Sequence, residues 1–290
     1  LLIGSLWVEN NHVYNAALVL DEGKVAAVRK KHDLPNYGVF DEKRVFVPGP
    51  LPGPINFRDV RLGVMICEDM WDEEVSECLK ESGAEILVVL NGSPYSLDKW
   101  EERLNLAVAR VGETGLPIIY VNQVGGQDEL VFDGASMIFS TEGECSKLFP
   151  SFKTHSEIVE LNNTDLSLIS NNKIKKEKVV RTELEDLYDA LVLGTKDYIQ
   201  KNNFSGAIIG SSGGIDSALT AVIAADAIGP DKVKTFMMPF KYTSEMSIVD
   251  ANKLATNLGI SHKVIDLSLI HISEPTRPER IGGGGVGVEK

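Results

Sequence analysis

Four shortages in this sequence each remove a class of protein. Cysteine is scarce: Cys67, Cys78 and Cys145 are an odd set of three in 290 residues, with no CxxC pair. A disulfide framework or a structural zinc site is therefore not expected, and a reduced, cytoplasmic setting fits. No uninterrupted apolar run reaches the roughly 18 residues that a membrane-spanning helix needs, so no membrane partner is expected. Positive charge is in deficit, with 29 Lys and Arg against 42 Asp and Glu and a formal charge of −13. A field of that sign repels phosphate backbones and argues against nucleic acid as a partner. Features of a secretory leader are scarce as well: residues 1–8 are apolar but carry no basic start and no small-residue cleavage site, so this segment is not expected to be one.

What is present reads as ordinary globular protein, 43% hydrophobic and 24% charged, long enough for about two domains. Residues 1–8, 15–20 and 25–29 read as three strands joined by turns, a meander. Residues 60–67, 84–90, 116–121 and 136–140 are apolar runs with strand character, and 73–82 and 100–114 carry helical periodicity. Strands and helices alternate, which predicts a layered α/β domain. Residues 162–178 turn polar and basic, so 162–180 is read as a linker between domains. Beyond it, helix 182–201, strand 206–210, helix 216–227, strand 232–238, helix 244–258 and strand 261–267 make a β-α-β-α-β run, the start of a parallel doubly wound sheet. Residues 268–290 have no period and are expected to be a non-native tail. Gly282, Gly284 and Gly287 satisfy GxGxxG there, but without a surrounding βαβ unit they are read as a decoy.

Two places carry chemistry. Cys67 ends an apolar strand and is followed by Glu68, Asp69, Met70 and Trp71. A thiol at such a junction can be exposed on a rigid backbone, with nearby N–H groups facing a developing oxyanion. The bland alternative is a buried cysteine that only fills space. The second place is SSGGIDS at 211–217, between a strand and a helix. Its small residues let an anion approach backbone N–H groups at a helix N-terminus, and it is not a Walker A loop because GxxxxGK[ST] is missing.

The segment from Lys31 through Leu34, Pro35 and Tyr37 to Glu42, together with RLGVMICEDMW at 61–71 and LNGSPY at 90–95, resembles the nitrilase superfamily of carbon–nitrogen hydrolases. Within it, the pattern is similar to the glutaminase domain of bacterial glutamine-dependent NAD synthetases. SSGGIDS resembles the pyrophosphate loop of ATP pyrophosphatases, and MPFKYTS at 238–244 resembles a segment of the same synthetases. The resemblance implies a nitrilase-like α-β-β-α sandwich over 1–161, followed by a Rossmann-like parallel α/β domain over 181–267, both incomplete. It implies Cys67 as nucleophile, Lys31 as oxyanion stabiliser and Glu42 as a second carboxylate. Tyr37, Ser93 and Lys99 are implied to hold glutamine. Gly210, Ser211, Ser212, Gly213, Gly214, Ile215, Asp216 and Ser217 are implied to bind ATP, with Asp216 on Mg²⁺.

The implied substrates are glutamine, deamido-NAD⁺ and ATP, and the implied assembly is a homo-oligomer. The resemblance also places a general-base glutamate upstream of Lys31, in a segment this sequence does not contain, so slow glutamine hydrolysis by the literal chain is expected. Gly125 to Leu130 is expected to form a loop near the active site or the domain interface, or an ordinary β-turn. Three alternatives stay open: another ATP-pyrophosphatase amidotransferase, a tRNA-modifying enzyme, and an inactive ligand-binding fragment. The Lys31/Cys67 pattern opposes the first; the charge and the absence of CxxC oppose the second.

Overall fold

A computed structural model describes residues 1–161, 168–169 and 182–266. The chain divides into two units, 1–190 and 191–290.

The first unit opens with the expected meander. β1 (Leu2–Glu9), β2 (His12–Asp21) and β3 (Lys24–Lys30) pair antiparallel in chain order. Asn10, Asn11, Glu22 and Gly23 take positive φ at the two turns, the conformation that tight hairpin connections require. A second sheet follows, built from β4 (Ile55–Phe57), β5 (Val60–Ile66), β6 (Ile86–Asn91) and β7 (Ile118–Asn122). After the hairpin of β8 (Val124–Gln127) and β9 (Leu130–Asp133), β10 (Met137–Phe139) and β11 (Cys145–Leu148) rejoin that sheet in the order β11-β10-β7-β6-β5-β4. Its centre, β5-β6-β7, is parallel, because α1 (Glu73–Glu81) and α2 (Lys99–Thr114) provide the crossovers. Gly115 stops α2 in the left-handed region, at φ +64, as glycine does at helix C-termini.

Alternation along β5 shows how the layers form. Met65 points to the helix side, with Val75 and Leu79 of α1 and Ala107 and Val111 of α2. Val64 and Ile66 point the other way, against Ala17 of the meander. One strand thus serves two cores, which is why it reads as a continuous apolar run. The layers α, β, β are the corresponding part of the expected α-β-β-α sandwich.

Of the two readings of 125–130, the β-turn is the one found: Gly125 pairs with Phe132 and Gly126 with Val131 in a hairpin, leaving Asp128 and Glu129 as the turn. The short strands β4, β8, β9 and β11, three or four residues each, escaped the sequence reading because so few residues carry no measurable period.

β12 (Glu160–Leu161) and β13 (Leu168–Ile169) form a small antiparallel pair. Apart from Leu168–Ile169, the expected linker at 162–180 lies outside the described residues. So does the expected tail at 268–290 with its glycine triplet.

α3 (Glu183–Lys201) runs across the division at residue 190. In the second unit, β14 (Ala207–Gly210), α4 (Ile215–Ile228), β15 (Val233–Met237), α5 (Glu245–Leu258) and β16 (Ser261–Val264) follow the expected alternation. The strands are parallel in the order β14-β15-β16. Ala221, Ala224 and Ala225 of α4 pack with Val233, Ala255 and Ile260; small side chains let the helix lie close to the sheet. Ser244 caps α5 by accepting the Ser247 N–H at 3.1 Å.

Candidate active site

Three segments distant in sequence meet at the C-terminal ends of β3 and β5. Lys31 directly follows β3, and its side chain is 1% exposed. Its backbone is fixed on both sides: Lys31 N–H donates to Asn15 O at 2.8 Å, and its carbonyl accepts the Gly49 N–H at 2.7 Å. A side chain at Gly49 would collide with Lys30, so this close approach requires glycine. Lys31 Nζ donates to Glu42 Oε1 at 2.8 Å, and Asn15 Nδ2 donates to Glu42 Oε2 at 3.3 Å. Glu42 opens a short 3₁₀ turn, Glu42–Arg44. A buried ammonium is thus balanced by one carboxylate held from two sides.

Cys67 begins a second 3₁₀ turn, Cys67–Met70, directly after β5. Its φ is +48, a left-handed conformation unusual for a non-glycine residue and typical of strained functional sites. Burial pushes the thiol above its ordinary pKa. Lys31 is the largest influence in the opposite direction, helped by a hydrogen bond from the Gly92 backbone, while Glu68 and Glu42 add to the rise. Lys31 favours the thiolate, but desolvation outweighs it, and the lysine is also paired with Glu42.

The other expected residues surround this centre. Tyr37 donates to Glu68 Oε1 at 2.8 Å. Burial and that hydrogen bond both raise the tyrosine pKa. Glu68 is itself raised by burial, with Tyr37, Lys31 and Lys99 acting against the rise. Lys99, at the start of α2, pairs with Glu102 at 2.7 Å and lies 4.2 Å from the centroid of the Trp71 ring. Ser93 is 4% exposed, and its N–H donates to Asn122 Oδ1 at 3.2 Å. A cleft of 510 Å³ opens between Gly38 and Val39 on one side and Gln127 to Leu130 with Phe132 on the other. Tyr37 directly precedes Gly38 at the edge of that cleft, and the β8–β9 hairpin forms its other side.

A buried polar network supports the 91–93 segment. Asn122 Oδ1 also accepts from Asn91 Nδ2 at 3.0 Å, and Asn122 Nδ2 donates to Asp133 Oδ1 at 3.3 Å. Arg103 donates to both oxygens of Asp133, at 2.9 and 2.5 Å. Asn91 also contacts the Tyr120 hydroxyl. The sequence reading missed Asn15, Glu68, Asn122, Arg103 and Asp133 as parts of this site. Glu68 could have been found from its place beside the nucleophile; the others have no local signal.

The second expected site is made of backbone. Ser211 N–H donates to Phe236 O at 2.8 Å, which holds the loop on β15. Ser212 Oγ lies 3.1 Å from Ser217 Oγ and accepts the Gly214 N–H at 3.2 Å, and Ser217 Oγ donates to Gly214 O at 3.0 Å. Gly213 has φ +78, and a Cβ there would run into the Ser247 carbonyl. Gly214 caps α4 with no side chain, so the N–H groups of Ile215, Asp216 and Ser217 open the helix without intrahelical acceptors. Gly210 ends β14, and Asp216 sits in the first helical turn, exposed. Among the described residues, no three His, Cys, Asp or Glu side chains gather as a metal site. One carboxylate is nevertheless a suitable donor for Mg²⁺, which commonly takes one or two carboxylates and completes its shell with water and phosphate oxygens.

The first unit thus carries a thiol at a strained strand end with a buried Lys–Glu pair beside it. Residues 1–165 match the model of the carbon–nitrogen hydrolase family, and the chain belongs to that family. Residues 187–275 match the model of the NAD synthase family.

In particular, the chain is similar to glutamine-dependent NAD(+) synthetase of Acinetobacter baylyi, 42% identical over 259 residues, which cover 89% of this chain and 47% of that protein. The protein of the same name from Rhodobacter capsulatus is 41% identical over 288 residues, covering 96% and 51%. Among solved structures, glutamine-dependent NAD+ synthetase from Acinetobacter baumannii in complex with adenosine diphosphate matches with a TM-score of 0.86 and 38% identity. That match covers 93% of this chain and 51% of the other. The chain spans about half the length of the curated relatives it matches. No helix among the described residues is long and apolar enough to cross a membrane.

Proposed function

We propose that the chain carries the glutaminase part, over 1–161, and the start of the ATP-using part, over 181–267, of a glutamine-dependent NAD(+) synthetase, a carbon–nitrogen ligase. The observation that carries this reading is the meeting of Lys31, Glu42 and Cys67 in one site. The Cys67 thiolate attacks the side-chain amide carbon of glutamine. The Lys31 ammonium faces the developing oxyanion, the C–N bond breaks, and the departing nitrogen takes up the proton that the Cys67 thiol gave up, leaving as ammonia. Water then hydrolyses the thioester to glutamate. Glu42 holds Lys31 charged and oriented. Tyr37, Ser93 and Lys99 line the place for glutamine, with Glu68 a carboxylate available to its α-ammonium.

At the second site, the loop Gly210 to Ser217 cradles the ATP phosphates with backbone N–H groups. The carboxylate of deamido-NAD⁺ attacks the α-phosphorus, pyrophosphate leaves, and ammonia displaces AMP to give NAD⁺. Mg²⁺, held by Asp216, would neutralise charge on the phosphates. We place the protein in the cytoplasm, as a homo-oligomer.

The test is a pair of substitutions in the full product of the gene. Cys67→Ala is expected to abolish NAD⁺ formation from glutamine while leaving formation from added ammonium. Asp216→Ala is expected to abolish pyrophosphate release with either nitrogen source. Glutamine-dependent synthesis by the Cys67→Ala protein would overturn the reading.

A further inference from the structure

The two halves of the catalytic pair at the first site come from different sheets. Lys31 follows β3 of the meander, and Cys67 follows β5 of the six-stranded sheet. No ladder joins the two sheets at this point, so strand pairing does not set the separation of ammonium and thiol. One side chain does span the gap. Asp69 is fully buried, at 0% exposure. Its Oδ1 accepts the N–H groups of His32 at 2.9 Å and Asp33 at 2.8 Å, the two residues directly after Lys31. Its Oδ2 accepts the N–H of Ile66 at 3.0 Å, the residue directly before Cys67.

Arg29, two residues before Lys31, completes the brace. It is 4% exposed. Its Nε donates to Val64 O at 2.8 Å, which ties β3 to β5 a second time, and its Nη2 lies 3.6 Å from Asp69 Oδ2. Burial presses the Arg29 pKa down, and Asp69 is the largest influence holding it up.

We propose that Asp69 is a positioning residue for the chemistry at Cys67, its carboxylate fixing the distance between the thiol and the Lys31 ammonium by binding the backbone on both sides. The inference rests on the reading of Cys67 as the nucleophile. It also accounts for the strained backbone of Cys67: the bond from Ile66 to Asp69 closes the turn in which the positive φ is held. The carboxylate form is needed because three N–H donors converge on two oxygens. An amide offers one oxygen and sets its NH₂ against at least one of those donors.

The groups that face the Cys67 thiol are Lys31 after β3, Glu42 in the first 3₁₀ turn, Glu68 in the second, Tyr37 in the loop between and Tyr120 on β7. Only Lys31 among them lowers the thiol pKa. Displacing it therefore moves the thiol in one direction, upward.

The experiment measures the rate of Cys67 alkylation by iodoacetamide against pH, with peptide mapping to separate Cys67 from Cys78 and Cys145. It compares the unaltered chain, Asp69→Asn and, as a control for loss of stability alone, Leu79→Ala in the helix-side core. Asp69→Asn is expected to shift the profile up by about one pH unit, which below the midpoint is about tenfold less thiolate at fixed pH. Leu79→Ala is expected to lower the melting temperature without shifting the profile. If Asp69→Asn does not fold, Asp69→Glu carries the comparison, since it keeps the charge and displaces both oxygens by a methylene; the same upward shift is expected. A folded Asp69 variant with the unaltered profile, or an equal shift in Leu79→Ala, overturns the proposal. No glutamine enters this measurement, so a failure of the glutaminase reading, seen as no ammonia release by the gene's full product, is told apart from a failure of the inference.

Discussion

The site around Cys67 and the loop at 211–217 are built in opposite ways. The first is assembled from side chains that lie 31, 42 and 67 residues into the chain, just past strands of two different sheets and in a 3₁₀ turn, and depends on charges taken out of water. The second is seven contiguous residues at one strand-to-helix junction, mostly exposed, whose free donors are backbone N–H groups. The first is cooperative, since each buried charge is tolerable only while its partner stays. The second is local, since its geometry follows from a glycine pair and a helix start. A substitution at the first site should spread, and one at the second should not.

Arg103 tests that spread most severely. Arg103→Ala leaves Asp133 buried without its cation, which is expected to cost about 3–5 kcal/mol. Urea denaturation followed by circular dichroism measures this. A loss under about 1 kcal/mol would mean that the network under Ser93 is not cooperative.

Lys31→Met removes the charge facing the thiol and is expected to lower glutamine turnover by the gene's full product by about 10²–10³-fold, the range for loss of one oxyanion donor. Glu42→Gln alone should also be harmful, but the double variant should lose less than the sum of the two, with a coupling of about 0.5–3 kcal/mol. Strict additivity would show that the pair does not act as a unit. In the unaltered protein, the direction of the Cys67 shift predicts that alkylation rises with a midpoint above the roughly 8.5 of a free thiol. A midpoint below that value would mean that Lys31, not burial, dominates.

The loop should respond less. Gly213→Ala forces a side chain into a left-handed backbone position against the Ser247 carbonyl, at an expected cost of about 1–3 kcal/mol. Isothermal titration should show weakened ATP binding. Cys67 alkylation should be unchanged, because Ser247 belongs to the same unit as the loop; a changed rate would break the contrast between a local and a cooperative site. Ser212→Ala is the mildest change. It removes the hydroxyl that accepts the Gly214 N–H and meets Ser217, an expected loss of about 0.5–1.5 kcal/mol in ATP binding.

Most of the fold was legible because its signals are local. The runs at 60–67 and 84–90 are strands, 73–82 and 100–114 are helices, and the β-α-β-α-β order of the second unit follows from alternating periods, with ends within a few residues. The short strands were not legible, for want of residues to show a period. SSGGIDS was legible as a tight loop between a strand and a helix because its parts touch neighbours in the chain.

For the first site, Lys31, Tyr37, Glu42, Cys67, Ser93 and Lys99 were named in advance, mainly through a family pattern, whereas their supporting partners were not. Nothing in the order of residues indicates that Asn15 reaches Glu42, or that Asp69 binds the N–H groups of residues 32, 33 and 66. Periodicity, glycine and capping residues act over a turn or two of chain, so the sequence decides elements and local loops directly. Distances between residues far apart in the chain arise from how two sheets pack, and so do the balance of burial against charge at Cys67 and the pairing of Lys31 with Glu42. Those are properties of the assembled core, where desolvation makes each polar group depend on a partner that the chain supplies from elsewhere.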